Sequence, residues 1–440
     1  MDMKTDENSK KSRLLVTREG VSYVLPFIVV TCCFALWGFA NDITNPMVKA
    51  FSKIFRMSVT DGTLVQVAFY GGYFCMALPA ALFIRRHTFR SGILMGLALY
   101  ALGVLLFIPA RAMGSFAPFL MAYFILTCGL SFLETTANPY ILLMGDRETA
   151  TRRLNLAQSF NPIGSLAGMF VAMHFIQARL SPLDTAQRAT LDDAQFEALK
   201  QSDLSVLVQP YALLGVVLLV LLAVLLLVRI PAVRQSREHR APLLPALRRL
   251  WANKPYRRGV MAQFFYVGAQ ITCWTFIIQY GTRVFMAQGM SEQAAEILSQ
   301  RYNIVAMVTF CLMRFVNIWL MKYFKPGRLM AFFAAVAILL LCGVILIGGT
   351  VGMYCLVAVS ACMSLMFPTI YGIALGDVHE DTEVGSAGLI MAILGGSLLP
   401  ALQAMIIDSQ VTLLPAVNLS FIVPAVCFVV VMFYGLRHAR

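Results

Sequence analysis

Charge is scarce in this 440-residue chain. Asp, Glu, Lys and Arg make up 13% of it, against roughly a quarter in soluble globular proteins, too few to cover a water-facing surface at the usual density. An ordinary soluble enzyme or binding module is excluded. No Gly-rich phosphate loop, zinc-ligand spacing or nucleophile elbow is present, so ATP-driven pumping, metal catalysis and membrane hydrolysis have no basis in the sequence. No enzyme activity, cofactor or metal is expected. The 10 cysteines are scattered in apolar runs, as at the neighbours Cys32 and Cys33. They form neither a metal set nor an extracellular disulfide framework, and read as small packing residues.

What is abundant is hydrocarbon: 59% of the residues are apolar. Runs long enough to cross a bilayer, about 20 residues each, recur from Val21 almost to the C-terminus, which argues against a soluble protein with an oversized core. The first run, Val21 to Ala40, follows a basic tail (Lys4, Lys10, Lys11, Arg13, Arg18) but is longer than a signal core and lacks a cleavage site. It reads as a retained helix. The expected fold class is therefore an all-α integral membrane protein.

Apolar runs and their polar punctuation predict twelve transmembrane helices: 21–48, 62–84, 91–110, 116–144, 154–178 and 209–230 in the first half, then 258–285, 298–322, 327–348, 351–375, 384–407 and 413–436. An even number puts both termini on one side. Arg85, Arg86 and Arg90, then Arg147, Arg152 and Arg153, and the basic stretch from Arg229 to Arg258 all fall on that side, which the positive-inside rule makes cytoplasmic. Asp377, Glu380, Asp381 and Glu383 form an exception that counts little, because the rule weighs Lys and Arg. The net charge of +13 describes loops beside an anionic leaflet rather than a nucleic-acid surface.

The segment "RIPAVRQSREHRAPLLPALRRLWANKPYRR" divides the chain near its middle and reads as a linker with a short surface helix around Pro245 to Trp251. The expected organisation is a cytoplasmic tail 1–20, a six-helix bundle 21–230, a linker 231–257, a second six-helix bundle 258–436 and a tail 437–440. The exits of spans two and eight share a pattern of helix, basic turn and helix. "NPYILLMG" ends span four where "FPTIYGIALG" ends span ten. Two pseudo-symmetric bundles around a midplane site are the architecture of a secondary transporter, although greasy helices also resemble one another by chance.

Polar groups inside the spans carry the functional reading. Glu134 sits in the apolar span four, and Asn138 follows one turn later on the same face. A carboxylate in hydrocarbon must face a cavity, pair with a cation or carry a proton, and burial disfavours its charged form, which suits proton exchange as water access changes. A permanent pairing with an Arg is the alternative. Span one contains "WGFANDITNP": Asn41, Asp42 and Asn45 line a cavity or else mark the membrane interface, and Pro46 is expected to bend the helix. In span five, Asn155, Gln158 and Asn161 recur every three residues. In span seven, Gln263 and Gln270 are followed by Trp274. Amides offer donors and acceptors to hydroxyls and an indole offers a flat platform, so the set favours a neutral polyhydroxylated ligand, with interhelical hydrogen bonding as the other reading. Arg314 in span eight needs an acidic or carbonyl partner.

The segments "ALWGFAND", "VQVAFYGGYF", "LETTANPY", "RRLNLAQSFNPIG", "AQFFYVGAQITCW" and "MFPTIYG" together resemble the fucose:proton symporter branch of the major facilitator superfamily, across nearly all twelve spans. The resemblance implies the major facilitator fold and import of a monosaccharide, L-fucose first, by proton symport with alternating access. Glucose/galactose and N-acetylglucosamine carriers of the same branch remain alternatives, as does a non-transporting sugar sensor. It implies a monomer in the bacterial inner membrane, with a proton rather than sodium as the coupling ion. The family's proton- and sugar-linked glutamate corresponds to Glu134 and its span-five amides to Gln158 and Asn161. The family's span-one acid falls on Asn45, a departure that leaves either Asp42, one turn earlier, as the candidate second proton site or coupling through Glu134 alone.

Overall fold

The computed structural model describes residues 14–15, 22–44, 47–57, 64–181, 183, 187–188, 190–227, 243–376, 378, 381–408 and 415–438. Expectations for Asn45 and Pro46, for linker residues 231–242, and for Asp377 and Glu380 lie outside the described residues. Among the described residues, twelve helices are long and apolar enough to span a membrane. Spans one to six are Val24–Thr44, Val67–Arg86, Phe89–Met113, Phe116–Leu143, Arg147–Ile176 and Asp193–Leu227. Spans seven to twelve are Lys254–Ala287, Ile297–Leu320, Pro326–Leu346, Gly349–Gly376, Thr382–Ile407 and Ala416–Arg437.

Span six begins well before the expected residue 209. "DAQFEALKQSD", which reads as part of a polar loop, is the first three turns of the helix. Ala, Gln, Glu, Leu and Lys are strong helix formers, and the Asp192 side chain accepts a 2.7 Å hydrogen bond from the Gln195 amide at the helix start. Lys200 then pairs with Glu197 at 2.6 Å. The helix therefore projects beyond the apolar stretch as a polar extension.

Spans one to six pack among themselves, as do spans seven to twelve. Glycine allows the tightest approaches. A Cβ on Gly164 of span five would lie 1.7 Å from the Ala35 carbonyl oxygen of span one, and one on Gly129 of span four would lie 2.3 Å from the Tyr100 nitrogen of span three. Neither position can carry a side chain without separating its helices.

Span four is the most enclosed helix: every residue from Leu126 through Ile141 is buried. Inside it, Pro139 has no N–H to donate, so the Thr135 carbonyl loses its intrahelical partner. Ser386 of span eleven donates to that carbonyl at 2.8 Å. Span five repeats the device. It breaks at Ser159–Phe160, Pro162 leaves the Gln158 carbonyl without its usual donor, and the Arg314 guanidinium of span eight donates to it. Two prolines in the first half thus create two acceptors that the second half fills.

Other contacts between the halves gather at the same end of the bundle, where spans four and ten finish and spans five and eleven begin. Asn155 donates to the Thr369 hydroxyl at 3.4 Å, and Gly372 packs on the Thr151 side chain. Tyr371, Ala374, Leu375, Val384, Leu389 and Ile390 join the first half's apolar core. The halves are sealed at this end. The linker helix Leu243–Ala252 closes over it, with Arg249 bonded to both carboxylate oxygens of Asp381 at 2.9 and 2.7 Å.

Candidate functional site

Glu134 is 3% exposed, deep in span four on the inner side of the seal. Among the described residues its hydrogen-bond partner is a tyrosine: the Tyr73 hydroxyl of span two donates to Oε1 at 3.5 Å, while Oε2 has no hydrogen-bond partner. Tyr73 is fixed from behind, since Ser131, one turn before Glu134, donates to its main-chain carbonyl at 3.0 Å. The Trp37 side chain of span one interacts with the same hydroxyl. Among the described residues no basic side chain pairs with Glu134, so the geometry does not support a permanent ion pair. A buried carboxyl with one long hydrogen bond and one bare oxygen is arranged to change protonation state, because no fixed cation holds its charge.

One turn further on, Asn138 accepts a 2.8 Å hydrogen bond from the Gln158 amide of span five, and its own Nδ2 is unpartnered. Gln158 in turn lends its carbonyl to Arg314. Asn138, Gln158 and Arg314 are therefore linked by hydrogen bonds from the first half to the second, beginning one turn from Glu134. Arg314 also lies over the Phe310 ring, 4.8 Å from its centroid. Its Nε has no partner.

Phe310 stands edge-on to Trp274 of span seven at 5.0 Å, and the Trp274 indole donates to the Ser360 hydroxyl of span ten at 3.2 Å. The indole is thus oriented, with its face partly open. About three turns before it, Gln263 is fully buried with neither amide atom partnered. Asn317, one turn after Arg314, donates to the Ser364 hydroxyl at 2.7 Å and leaves its Oδ1 unpaired. Buried polar groups normally find partners, so this set of bare donors and acceptors is suited to a ligand rich in hydroxyls.

The remaining candidates are placed differently. Asn161 is half-buried and donates to the Phe34 carbonyl at 3.3 Å, which leaves its Oδ1 as the group free to serve a ligand. Asn155 is committed to the seal. Gln270 is half-buried. Asn41 and Asp42 lie in the last turn of span one, Asp42 being five residues, about 7.5 Å, beyond Trp37 along the helix and electrostatically close to Tyr70 of span two. They sit near the helix end rather than beside Glu134. Tyr73, Ser360 and Asn317 were not singled out from sequence. Each occupies an ordinary-looking apolar run, and only a signal of spacing across different spans would have picked it out.

A family model described as Major Facilitator Superfamily matches residues 30–404. The L-fucose-proton symporter of Haemophilus influenzae is 49% identical over 421 residues, 94% of this chain and 96% of that one. The L-fucose-proton symporter of Escherichia coli is 32% identical over 418 residues, covering 94% and 93%. Among solved structures, the crystal structure of a Major Facilitator Superfamily transporter, FucP, in the outward conformation aligns with a TM-score of 0.85 at 30% identity, over 95% of this chain and 99% of that one.

Proposed function

The chain belongs to the Major Facilitator Superfamily, and from that premise we infer that it is a secondary active transporter that imports L-fucose together with a proton. It is a twelve-span membrane protein of the major facilitator fold. The substrate and the coupling ion follow from its similarity to the two L-fucose-proton symporters. The observation that carries the mechanism is the buried Glu134 with one bare oxygen and no cationic partner among the described residues.

The protein works by alternating access. In the state described here the halves are joined at one end through Thr135–Ser386 and Gln158–Arg314, an arrangement supported as outward-facing by its likeness to an outward-conformation structure. The sugar enters from the opposite end and meets the unpaired amides of Asn138 and Gln263, the free Nε of Arg314 and the Trp274 face. Its binding, with a proton on Glu134, replaces the bonds across the seal, and the halves rock about the site. Release of the proton on the far side returns a charged carboxyl that disfavours occupancy without a proton. The two bundles 21–230 and 258–436 are the moving bodies. They act within one monomer, with both termini in the cytoplasm of a bacterium and the chain in its inner membrane. The protein performs no chemistry on the sugar.

Uptake of radiolabelled L-fucose, D-galactose, D-glucose and N-acetylglucosamine into vesicles holding the purified protein, with the outside more acidic, tests the substrate. Accumulation of L-fucose above the other three is expected. Preferential accumulation of glucose and galactose would reassign the chain within its branch, and binding with no uptake would make it a sensor.

A further inference from the structure

At the sealed end of the second bundle, the start of span seven and the finish of span twelve flank an open cavity of about 450 Å³ lined by Arg257, Arg258, Met261, Val430, Phe433 and Arg437, among others. The charge distribution there is unusual. Helix N-termini carry a partial positive charge and favour acidic residues, yet the first turn of span seven has no acid and instead presents Lys254, Arg257 and Arg258. Arg437 is brought alongside from span twelve.

Arg257 is held by the linker, donating to the Trp251 carbonyl at 3.2 Å and lying 5.9 Å from the centre of its ring. Arg258 and Arg437 make no hydrogen bond or ion pair among the described residues. The cluster therefore concentrates positive potential that the protein leaves uncompensated. Below it, Met261 and Phe433 are 51% and 55% exposed on the outer surface of membrane-spanning helices, where acyl chains lie. Trp251, 73% exposed, marks the interfacial level between the two zones.

We propose that this cavity binds an anionic phospholipid, its headgroup phosphate held by Arg257, Arg258 and Arg437 and its acyl chains laid along Met261, Val430 and Phe433. Guanidinium forks match phosphate oxygens in pairs, and basic pockets between membrane helices suit anionic headgroups. A zwitterionic lipid offers the same phosphate, but its ammonium opposes the arginines. Because Arg257 is bonded to the linker helix, the bound lipid also braces that helix over the seal.

Native mass spectrometry of the full chain in detergent, with equimolar phosphatidylglycerol and phosphatidylcholine, tests this. The wild type is expected to retain phosphatidylglycerol at least about 10-fold better. Arg258→Gln with Arg437→Gln should abolish the preference, whereas Arg111→Gln, on span three far along the chain, should keep it. Equal retention of both lipids by the wild type, an unchanged preference in the double variant, or an equal loss in Arg111→Gln overturns the proposal. So does displacement of the lipid by a tenfold excess of inorganic phosphate, which would mark a free-anion site. If the double variant fails to fold, the two single variants replace it: a loss of about 5-fold in each is expected, and wild-type preference in both overturns the site.

Discussion

Ser386 of span eleven donates a 2.8 Å hydrogen bond to the main-chain carbonyl of Thr135, the residue next to Glu134. The acceptor exists because Pro139 cannot supply the intrahelical donor. The bond that closes one end of the bundle is thus one residue removed from the carboxyl proposed to carry the proton. Tyr371 shares the Ser386 hydroxyl, so a third span is tied to the same point. A change in span four's position around Glu134 is transmitted directly to the seal.

Ser386→Ala should therefore loosen the closed end. The Thr135 carbonyl would remain buried without a donor in the sealed state but meet water in the opened one, a difference of about 1–3 kcal/mol, or roughly 5-fold to 150-fold in the population ratio. Spin labels on the exposed positions Arg86 and Lys254 would report it. A broadened distance distribution with a longer component is expected in the variant. An unchanged distribution would make the bond incidental.

Gln263 offers a test that separates binding from packing. Its amide is buried without a partner, so Gln263→Leu removes an unsatisfied group and should leave the melting temperature unchanged or raise it. If the amide serves the sugar, affinity should fall roughly 5-fold to 150-fold by the same arithmetic. Asn161→Ala, which loses one hydrogen bond to Phe34 as well as its free oxygen, should weaken L-fucose binding over a similar range. Isothermal calorimetry with thermal melts on each variant reads both quantities. Lower stability with unchanged affinity would return these amides to a packing role.

Much of the architecture was legible in the apolar runs, since a bilayer dictates helix length and leaves backbone polar groups no other solution. Span six was the exception. A helix former such as "AQFEALKQ" continues a helix into water as readily as it forms a surface loop, and hydropathy does not distinguish them. Glu134 and Asn138 stood out because polar groups are conspicuous in hydrocarbon. The roles of Pro139 and Pro162 did not, because a freed carbonyl shows only what it lacks. Which residue of the other half fills it depends on how two bundles meet, and Ser386 is one of many serines in apolar surroundings.

Asp42 is the candidate second proton site, and it lies away from Glu134. Its place in the last turn of span one, near Tyr70, sets it toward the helix end. Asp42→Asn is expected to lower proton-driven uptake more than Asn45→Ala does, provided water connects that turn to the cavity, while Asn45→Asp should shift the pH optimum of uptake. Proton flux per sugar, normalised to folded protein, separates coupling from folding. Normal coupling in Asp42→Asn with reduced yield would make Asp42 a structural residue of the helix end.

Glu134→Gln in sealed vesicles tests whether Glu134 carries the transported proton. Gln resembles the protonated carboxyl in shape and hydrogen bonding but cannot release a proton. With the outside acidified, the wild type should accumulate labelled L-fucose above its external concentration and take up protons with it. Glu134→Gln should exchange internal for external L-fucose across the membrane, yet neither accumulate it nor move protons. Accumulation driven by the pH gradient in Glu134→Gln, at the wild-type proton-to-sugar ratio, would remove Glu134 from the proton path.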